Sequence, residues 1–479
     1  MLTLADIIEA LSHRRPEHPG PIITEAVIDS RQVIPGALFV ALLGERHDGH
    51  DFVGEAFERG AHVALVARAV DVGCPILDLR AKKQVTRPLG SPPERLEVRA
   101  PVCIRVDDTL LALQQAARFW RRKLDLRVVG ITGSVGKSTT KELVGEVLEQ
   151  RYRTLRNPGN QNNEIGLPLA LLRLGEGYER AVLEMGFYVP GEIKLLCDMA
   201  LPQVGVITNI GTVHAERAGD QETIARGKAE LVQALPPAPV GTAILNFDDP
   251  WVRPMAAQTQ GQVFFYGLSP EADLWADNVE GLGLEGIRLR LHYRNEIIHM
   301  RVPLIGRHSV HTVLRAAAVG LVEGLTWQEI VNGLRSEHTQ LRLVAVRSDS
   351  GALILDDTYN ASPESTLAAL NLLDELEGRK VAVLGDMLEL GAYEVQGHEM
   401  VGMRAAQVAD VLVTVGQRAV VIALAARQGG LAPQAIYEVA ESDEAIQLLH
   451  RLLRSRDIVL VKGSRGMQMD RIVTALESF

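Results

Sequence analysis

Cysteine is scarce. The 479-residue chain has three, Cys74, Cys103 and Cys197, odd in number and far apart. Neither a disulfide framework nor a C-x-x-C metal site can be built from them alone, and a reducing compartment is the expected setting. No stretch of the sequence reaches the roughly 18 apolar residues needed to cross a bilayer. The opening MLTLADIIEALSHRRPEH has too short an apolar run and misplaced charges for a secretory signal, so a cytoplasmic protein without a membrane span is expected. Basic charge is not in excess either. The 50 Lys and Arg face 60 Asp and Glu, a formal net charge of −10. This argues against a nucleic-acid partner, although it leaves room for a local basic pocket. Short-period repeats and low-complexity tracts are absent. Nothing suggests an obligate oligomer, and a monomer is expected.

What is present is an ordinary globular composition, 47% hydrophobic and 23% charged, in a chain long enough for about three domains. Short apolar runs alternate with helical patterns throughout, the signature of α/β architecture with mainly parallel sheets. The spacing predicts boundaries giving domains 1–105, 106–337 and 338–479. In the first, an amphipathic helix over Leu2–Leu11 precedes the elements Ala37–Leu42, Phe52–Arg59 and His62–Val66, and the Pro-, Gly- and charge-rich stretch Ala81–Ala100 reads as a loop or linker. In the second, a helix over Thr109–Arg122, with the capping entrance Asp107-Asp108-Thr109, leads to strands at Leu126–Ile131, Arg180–Glu184, Val204–Thr208 and Thr242–Asn246. The alternating segment Ala272–Leu304 reads as a small antiparallel hairpin layer. In the third, strands at Ala352–Asp356, Val381–Leu384, Val411–Val415 and Ile458–Val461 predict a doubly wound, Rossmann-like unit.

The strongest motif is Gly130-Ile-Thr-Gly-Ser-Val-Gly-Lys-Ser-Thr-Thr140, between an apolar strand and a helix. Glycines let a loop turn its N–H groups toward phosphate, and the helix start adds partial positive charge. Lys137 would bridge nucleotide phosphates and the Ser138 hydroxyl would ligate Mg²⁺. The usual G-x-x-x-x-G-K-[ST] spacing is missed by one position, since Ile131 stands where the first glycine belongs. Glu184 ends a strand and His214 lies just past one, where α/β sheets place ligands. The run Asn160-Gln-Asn-Asn-Glu-Ile-Gly-Leu-Pro168 offers amides with both donors and acceptors. Lys228, beside Arg226 and Glu230, reads from its neighbours as a surface lysine. Polar loops also follow the third domain's strands at Asp356–Ser365, Gly385–Gly391 (with His398 soon after) and Lys462–Gly466.

Taken together, these segments resemble the Mur ligase family over almost the whole chain, from Asp29 to Asp470. The most discriminating are Asp356-Asp-Thr-Tyr-Asn, Leu384-Gly-Asp-Met-Leu-Glu-Leu-Gly and Lys462-Gly-Ser-Arg. They look more like the member that adds D-alanyl-D-alanine than like its siblings, and the Asp-Asn-Pro-Arg signature of the diaminopimelate-adding sibling is absent. The resemblance implies a UDP-sugar-binding first domain, a central phosphate-loop ATPase domain, and a third domain that meets nucleotide and incoming dipeptide. The substrates it implies are a UDP-N-acetylmuramoyl-tripeptide and D-alanyl-D-alanine, joined at the cost of ATP through an acyl phosphate.

Residue by residue, the resemblance implies that Gly133, Ser134, Val135, Gly136, Lys137, Ser138, Thr139, His308, Thr312, Arg342 and Asp357 meet ATP. Lys137, Glu184, His214 and Lys228 would serve catalysis. Ser138, Glu184, His214 and a carbamylated Lys228 would hold Mg²⁺, two ions in all. Ser30 and Arg31 would meet the UDP portion, with Asn160, Asn162, Asn163, Asn360, Lys462, Ser464 and Arg465 around the rest of the substrates. The chain departs from the family at Ser309, Thr312 and Ser362, each of which replaces a usual asparagine. A folylpolyglutamate synthase-like ligase is disfavoured by the Ser30–Arg31 segment, and a simple nucleotide switch by the third domain's polar strand ends.

Overall fold

The computed structural model describes residues 1–44, 47–80, 100–336, 344–349 and 351–477. The expected loop 81–100, apart from Ala100, and the candidate residue Arg342 lie outside them. The chain forms two compact units. One comprises Met1–Gly130, Tyr152–Gly186 and Glu192–Gln203; the other comprises Ile131–Arg151, Phe187–Gly191 and Val204–Phe479.

The first unit opens with the helix Leu4–Ser12, set by a capping box in which Thr3 and Asp6 exchange bonds. Its sheet holds β1 (Ala26–Val27), β2 (Leu38–Val40), β3 (Val63–Val66), β4 (Ile76–Asp78) and β5 (Val102–Arg105) in the order β1-β2-β3-β5-β4. All of its pairs are parallel. Sequence patterning finds β2 and β3, whose residues are wholly buried, and passes over the short β1, the partly exposed β4, and β5. The helix Thr109–Lys123 is capped by Asp108, which accepts from the Leu111 N–H. The cysteines Cys74 and Cys103, remote in sequence, meet here with sulfurs 3.2 Å apart as free thiols, so distance along the chain was a poor guide to their separation.

Next in the chain come β6 (Arg127–Thr132), which runs into the second unit, and β7 (Thr154–Arg156) and β8 (Arg180–Glu184), paired in the first unit. The second unit's sheet then begins with β9 (Val204–Ile207), β10 (Thr242–Asn246) and β11 (Gln262–Gly267). It continues with β12 (Leu274–Gly281), β13 (Ile287–Tyr293) and β14 (Glu296–Val302). In the second unit the order is β14-β13-β12-β11-β10-β9. The expected antiparallel hairpin layer is present and extends this sheet: β12 pairs parallel with β11 at Tyr266 and Gly267, then antiparallel with β13, which pairs antiparallel with β14.

The last sheet, β15 (Val344–Arg347), β16 (Leu353–Asp357), β17 (Lys380–Gly385), β18 (Val411–Val415), β19 (Ile436–Val439) and β20 (Ile458–Lys462), has the order β15-β16-β20-β17-β18-β19. Only the β15 edge is antiparallel. Alternate residues feed two cores: Ala382, Leu384, Leu412 and Leu460 on one face, Val381, Val383, Val413 and Val461 on the other. Both faces are covered by helices, as a doubly wound sheet requires. Each fully buried Val or Leu contributes roughly 1.5–3 kcal/mol. With its two faces sealed, this sheet can offer polar groups only at its strand ends, and the site is found there.

Candidate active site

The phosphate loop begins where β6 ends. Ile131 belongs to the strand and is fully buried, so the turn starts at Gly133 and the motif's shifted spacing follows. Gly133 has φ +144°, and a Cβ there would stand 1.8 Å from Thr208 Oγ1; glycine is the only residue that fits. Gly136, at φ +83°, starts the helix Lys137–Glu149. The segment after β9 fastens the loop. Thr208 Oγ1 donates to the Val135 carbonyl at 2.7 Å, the Val135 N–H donates to Asn209 Oδ1 at 2.9 Å, and the Gly211 N–H donates to Ser134 Oγ at 2.8 Å.

Two ammonium groups converge on one loop carbonyl. Lys137 Nζ donates to Gly133 O at 2.9 Å and Lys228 Nζ donates to the same oxygen at 3.1 Å. Lys228 is completely buried, its ammonium 4.6 Å from the centre of the Phe187 ring. The reading of it as a surface lysine is therefore wrong. The helix Gln221–Gln233 buries Ile224, Ala225, Lys228, Leu231 and Val232 along one stripe, and Lys228 sits in that stripe. His214 is nearby: burial first, then Lys137, Lys228 and Arg217, hold its pKa down to about 3. Its ring is neutral at ordinary pH, with Nδ1 2.7 Å from Glu389 Oε2.

Residues 134–139 face Val213, His308, Thr312, Asp357, Asn360, Ser362 and Lys462 across one cleft. Lys462 is buried and donates to Asp357 Oδ2 at 2.6 Å and to the Asn360 carbonyl at 2.9 Å. The cleft thus brings together much of the expected nucleotide set, along with Asn360 and Lys462 from the expected dipeptide set. The three asparagine replacements have local explanations. Ser309 Oγ donates to the Ile305 carbonyl, Thr312 Oγ1 accepts from Arg315 at 2.8 Å, and Ser362 caps the helix Pro363–Glu375. Ser464 is buried and its Oγ accepts from the Leu388 N–H at 2.9 Å, while Arg465 starts a short 3₁₀ turn.

Family models match three stretches: the Mur ligase family catalytic domain at 23–121, the Mur ligase middle domain at 131–320, and the Mur ligase glutamate ligase domain at 341–465. The UDP-N-acetylmuramoyl-tripeptide–D-alanyl-D-alanine ligase of Bacillus subtilis is 35% identical over 466 residues, covering 96% of this chain and 94% of its own. The chain is a Mur ligase. MurF from Acinetobacter baumannii has the same fold with a TM-score of 0.83 and 31% identity, over 99% of this chain and 98% of that one. MurF from Thermotoga maritima, solved with ADP, gives 0.77 and 27%, over 98% of each chain.

The remaining candidates of this Mur ligase lie in the first unit. Glu184 is buried at the end of β8 and its Oε1 accepts from Asn162 Nδ2 at 2.9 Å. Asn163 Oδ1 accepts from the Gly166 N–H at 2.9 Å at a helix start, and Asn160 is exposed. Ser30 is buried and its Oγ donates to Glu55 Oε2 at 2.9 Å; Arg31 pairs with Asp29 and its side chain is 79% exposed. Sequence reasoning missed Asn157, which is fully buried and bonds both the Glu184 N–H and its carbonyl. It also missed Thr208 and Asn209 as loop supports, although both lie in the segment that flagged His214. His398, soon after the Gly385–Gly391 loop, is buried: Nε2 accepts from the Met387 N–H and Nδ1 donates to the Glu394 carbonyl. Among the described residues, no three His, Cys, Asp or Glu side chains gather as a metal site.

Proposed function

We propose that this Mur ligase joins D-alanyl-D-alanine to a UDP-N-acetylmuramoyl-tripeptide, with ATP cleaved to ADP and phosphate, to give the pentapeptide precursor of peptidoglycan. The observation that carries the reading is the cleft in which the phosphate loop, with Lys137, faces the third sheet's strand ends, with Asp357, Asn360 and Lys462. Its functional domains are 1–105 for the UDP portion, 106–337 for ATP and 338–479 for nucleotide and dipeptide.

The residues suit a polyphosphate. Gly133 lets the backbone approach closely, the helix start favours an anion, and Lys137 lies over the loop ready to exchange carbonyl oxygens for phosphate oxygens. The substrate carboxylate attacks the ATP γ-phosphorus and ADP leaves; the dipeptide amine then attacks the acyl phosphate carbonyl and phosphate leaves. Lys137 neutralises charge developing on the transferring phosphoryl group. Asp357, oriented by Lys462, accepts from the ribose, and Arg342 meets the γ-phosphate. Ser30 and Arg31 hold the UDP portion, while Asn160, Asn162, Asn163, Asn360, Ser464 and Arg465 line the peptide.

Two Mg²⁺ ions, when bound, supply charge neutralisation for phosphoryl transfer. Ser138, Glu184 and His214 would hold them, joined by Lys228 once carbamylated. A carbamate at Lys228 would place an anion beside Lys137, on a side chain that is buried and shares the Gly133 carbonyl with it. We place the enzyme in the cytoplasm as a monomer; no helix among the described residues is long and apolar enough to cross a membrane.

Mass spectrometry of reactions with ATP, Mg²⁺, UDP-muramoyl tripeptide and D-alanyl-D-alanine, each omitted in turn, tests this. The expected result is a UDP-pentapeptide only in the complete mixture, with one phosphate per product. Phosphate release without a new peptide would refute it.

A further inference from the structure

The motif Leu384–Gly391 plays no part in the steps above, yet the fold invests heavily in its position. Asp386 Oδ1 accepts from the Ala419 N–H at 2.7 Å, the Met387 N–H donates to buried His398 at 3.1 Å, and the Leu388 N–H donates to Ser464 Oγ at 2.9 Å. Three successive residues are thus pinned by groups from three other segments. The next residue, Glu389, has φ +64°, and the residue its carboxylate meets, His214, has φ +70°. Neither is glycine, so each backbone conformation carries a cost that the surroundings must offset.

The two turns are also locked through their backbones. The Glu216 N–H donates to the Glu389 carbonyl at 3.2 Å, and a Cβ on Gly391 would come within 2.9 Å of the Glu216 backbone. Tyr188 packs edge-on against the His214 ring with centroids 4.7 Å apart. A carboxylate can only accept, so the bond to Glu389 Oε2 assigns the proton to His214 Nδ1 and leaves Nε2 as the nitrogen with the lone pair.

We propose that Glu389 is a positioning residue for the ligase reaction: it fixes the His214 ring and its Nδ1–H tautomer, so that Nε2 is presented as a ligand to the metal–nucleotide. Two strained backbones joined through their side chains, on a turn braced at three further points, exceed what an incidental surface pair needs. The proposal rests on the functional reading above, in which His214 helps hold Mg²⁺. Carboxylate partners of metal-binding histidines set both ring orientation and basicity.

The first test needs neither metal nor substrate. Long-range ¹H–¹⁵N correlation of histidine-labelled, metal-free protein, with the signal assigned through His214→Gln, should report the Nδ1–H tautomer. Glu389→Ala should shift it toward Nε2–H, while Glu389→Gln, whose amide oxygen still accepts, should retain it. In the second test, affinity for Mn²⁺ with a non-hydrolysable ATP analogue should fall about 10–100-fold in Glu389→Ala. Its kcat should fall while KM for the dipeptide holds within about twofold, a split that general loosening would not give. An unchanged tautomer in Glu389→Ala, or a changed tautomer with unaltered metal–nucleotide affinity, overturns the proposal. Should the enzyme prove to use another acceptor, the tautomer measurement still stands, so the two readings fail separately.

Discussion

Two loops border the same cleft, one through residues 134–136 and the other through Val213, and they are held in opposite ways. The phosphate loop, Gly133–Gly136, is shaped by its own glycines and fastened by the neighbouring Thr208–Gly211 segment. The turn Gly211–Glu216, which presents His214, relies on carboxylates far away in sequence: Glu364 accepts from the Thr212 N–H at 3.2 Å and Glu389 meets His214 at 2.7 Å. The first loop encodes its conformation locally. The second is held by carboxylates of the C-terminal region, which therefore shapes the turn beside the cleft as well as lining the cleft.

Breaking the local loop should have the largest effect. Gly133→Ala forces a Cβ into Thr208 Oγ1 at φ +144°, and chemical unfolding should show a loss of at least about 3 kcal/mol. Steady-state assays should show kcat reduced by more than ~10²-fold, the scale of losing a preorganised charge-stabilising group. Thr208→Val removes the bond to the Val135 carbonyl and orphans that acceptor, at a cost of about 1–3 kcal/mol in the same unfolding measurement. Glu364→Ala frees the Thr212 N–H and should cost only about 1 kcal/mol, while slowing turnover about tenfold through misplacement of the His214 turn.

The smallest effect at neutral pH comes from protons. His214, held down to about 3 by burial and nearby cations, binds a proton far less readily folded than unfolded. Its contribution to stability is complete above the unfolded value near 6.5 and is lost as pH falls from there toward 3. The pH slope of unfolding free energy should approach ~1.4 kcal/mol per unit from this one group, and urea titrations of His214→Gln at pH 7 and 5 should show a correspondingly smaller difference.

The contrast between the loops also explains what the sequence made legible. Gly133, Gly136 and Lys137 lie within five residues of one another between a strand and a helix, and local pattern sufficed to find them. The doubly wound sheet was visible because β17, β18 and β20 are continuous apolar runs buried on both faces. Short β19 and the antiparallel edge β15 gave no such signal. Lys228 was misread from its charged neighbours, although the apolar stripe Ile224, Leu231 and Val232 places it inside. Glu364 and Glu389 could not be linked to Thr212 and His214 by any spacing rule, because these partnerships exist only after the chain has folded.

Oxygen-18 transfer tests the central claim most directly. With the tripeptide's terminal carboxylate labelled in both oxygens, attack on ATP carries one labelled oxygen onto phosphorus, and it leaves with the phosphate when the amine displaces it. The account predicts one ¹⁸O per phosphate released in the presence of D-alanyl-D-alanine. Unlabelled phosphate formed in step with the pentapeptide would contradict it.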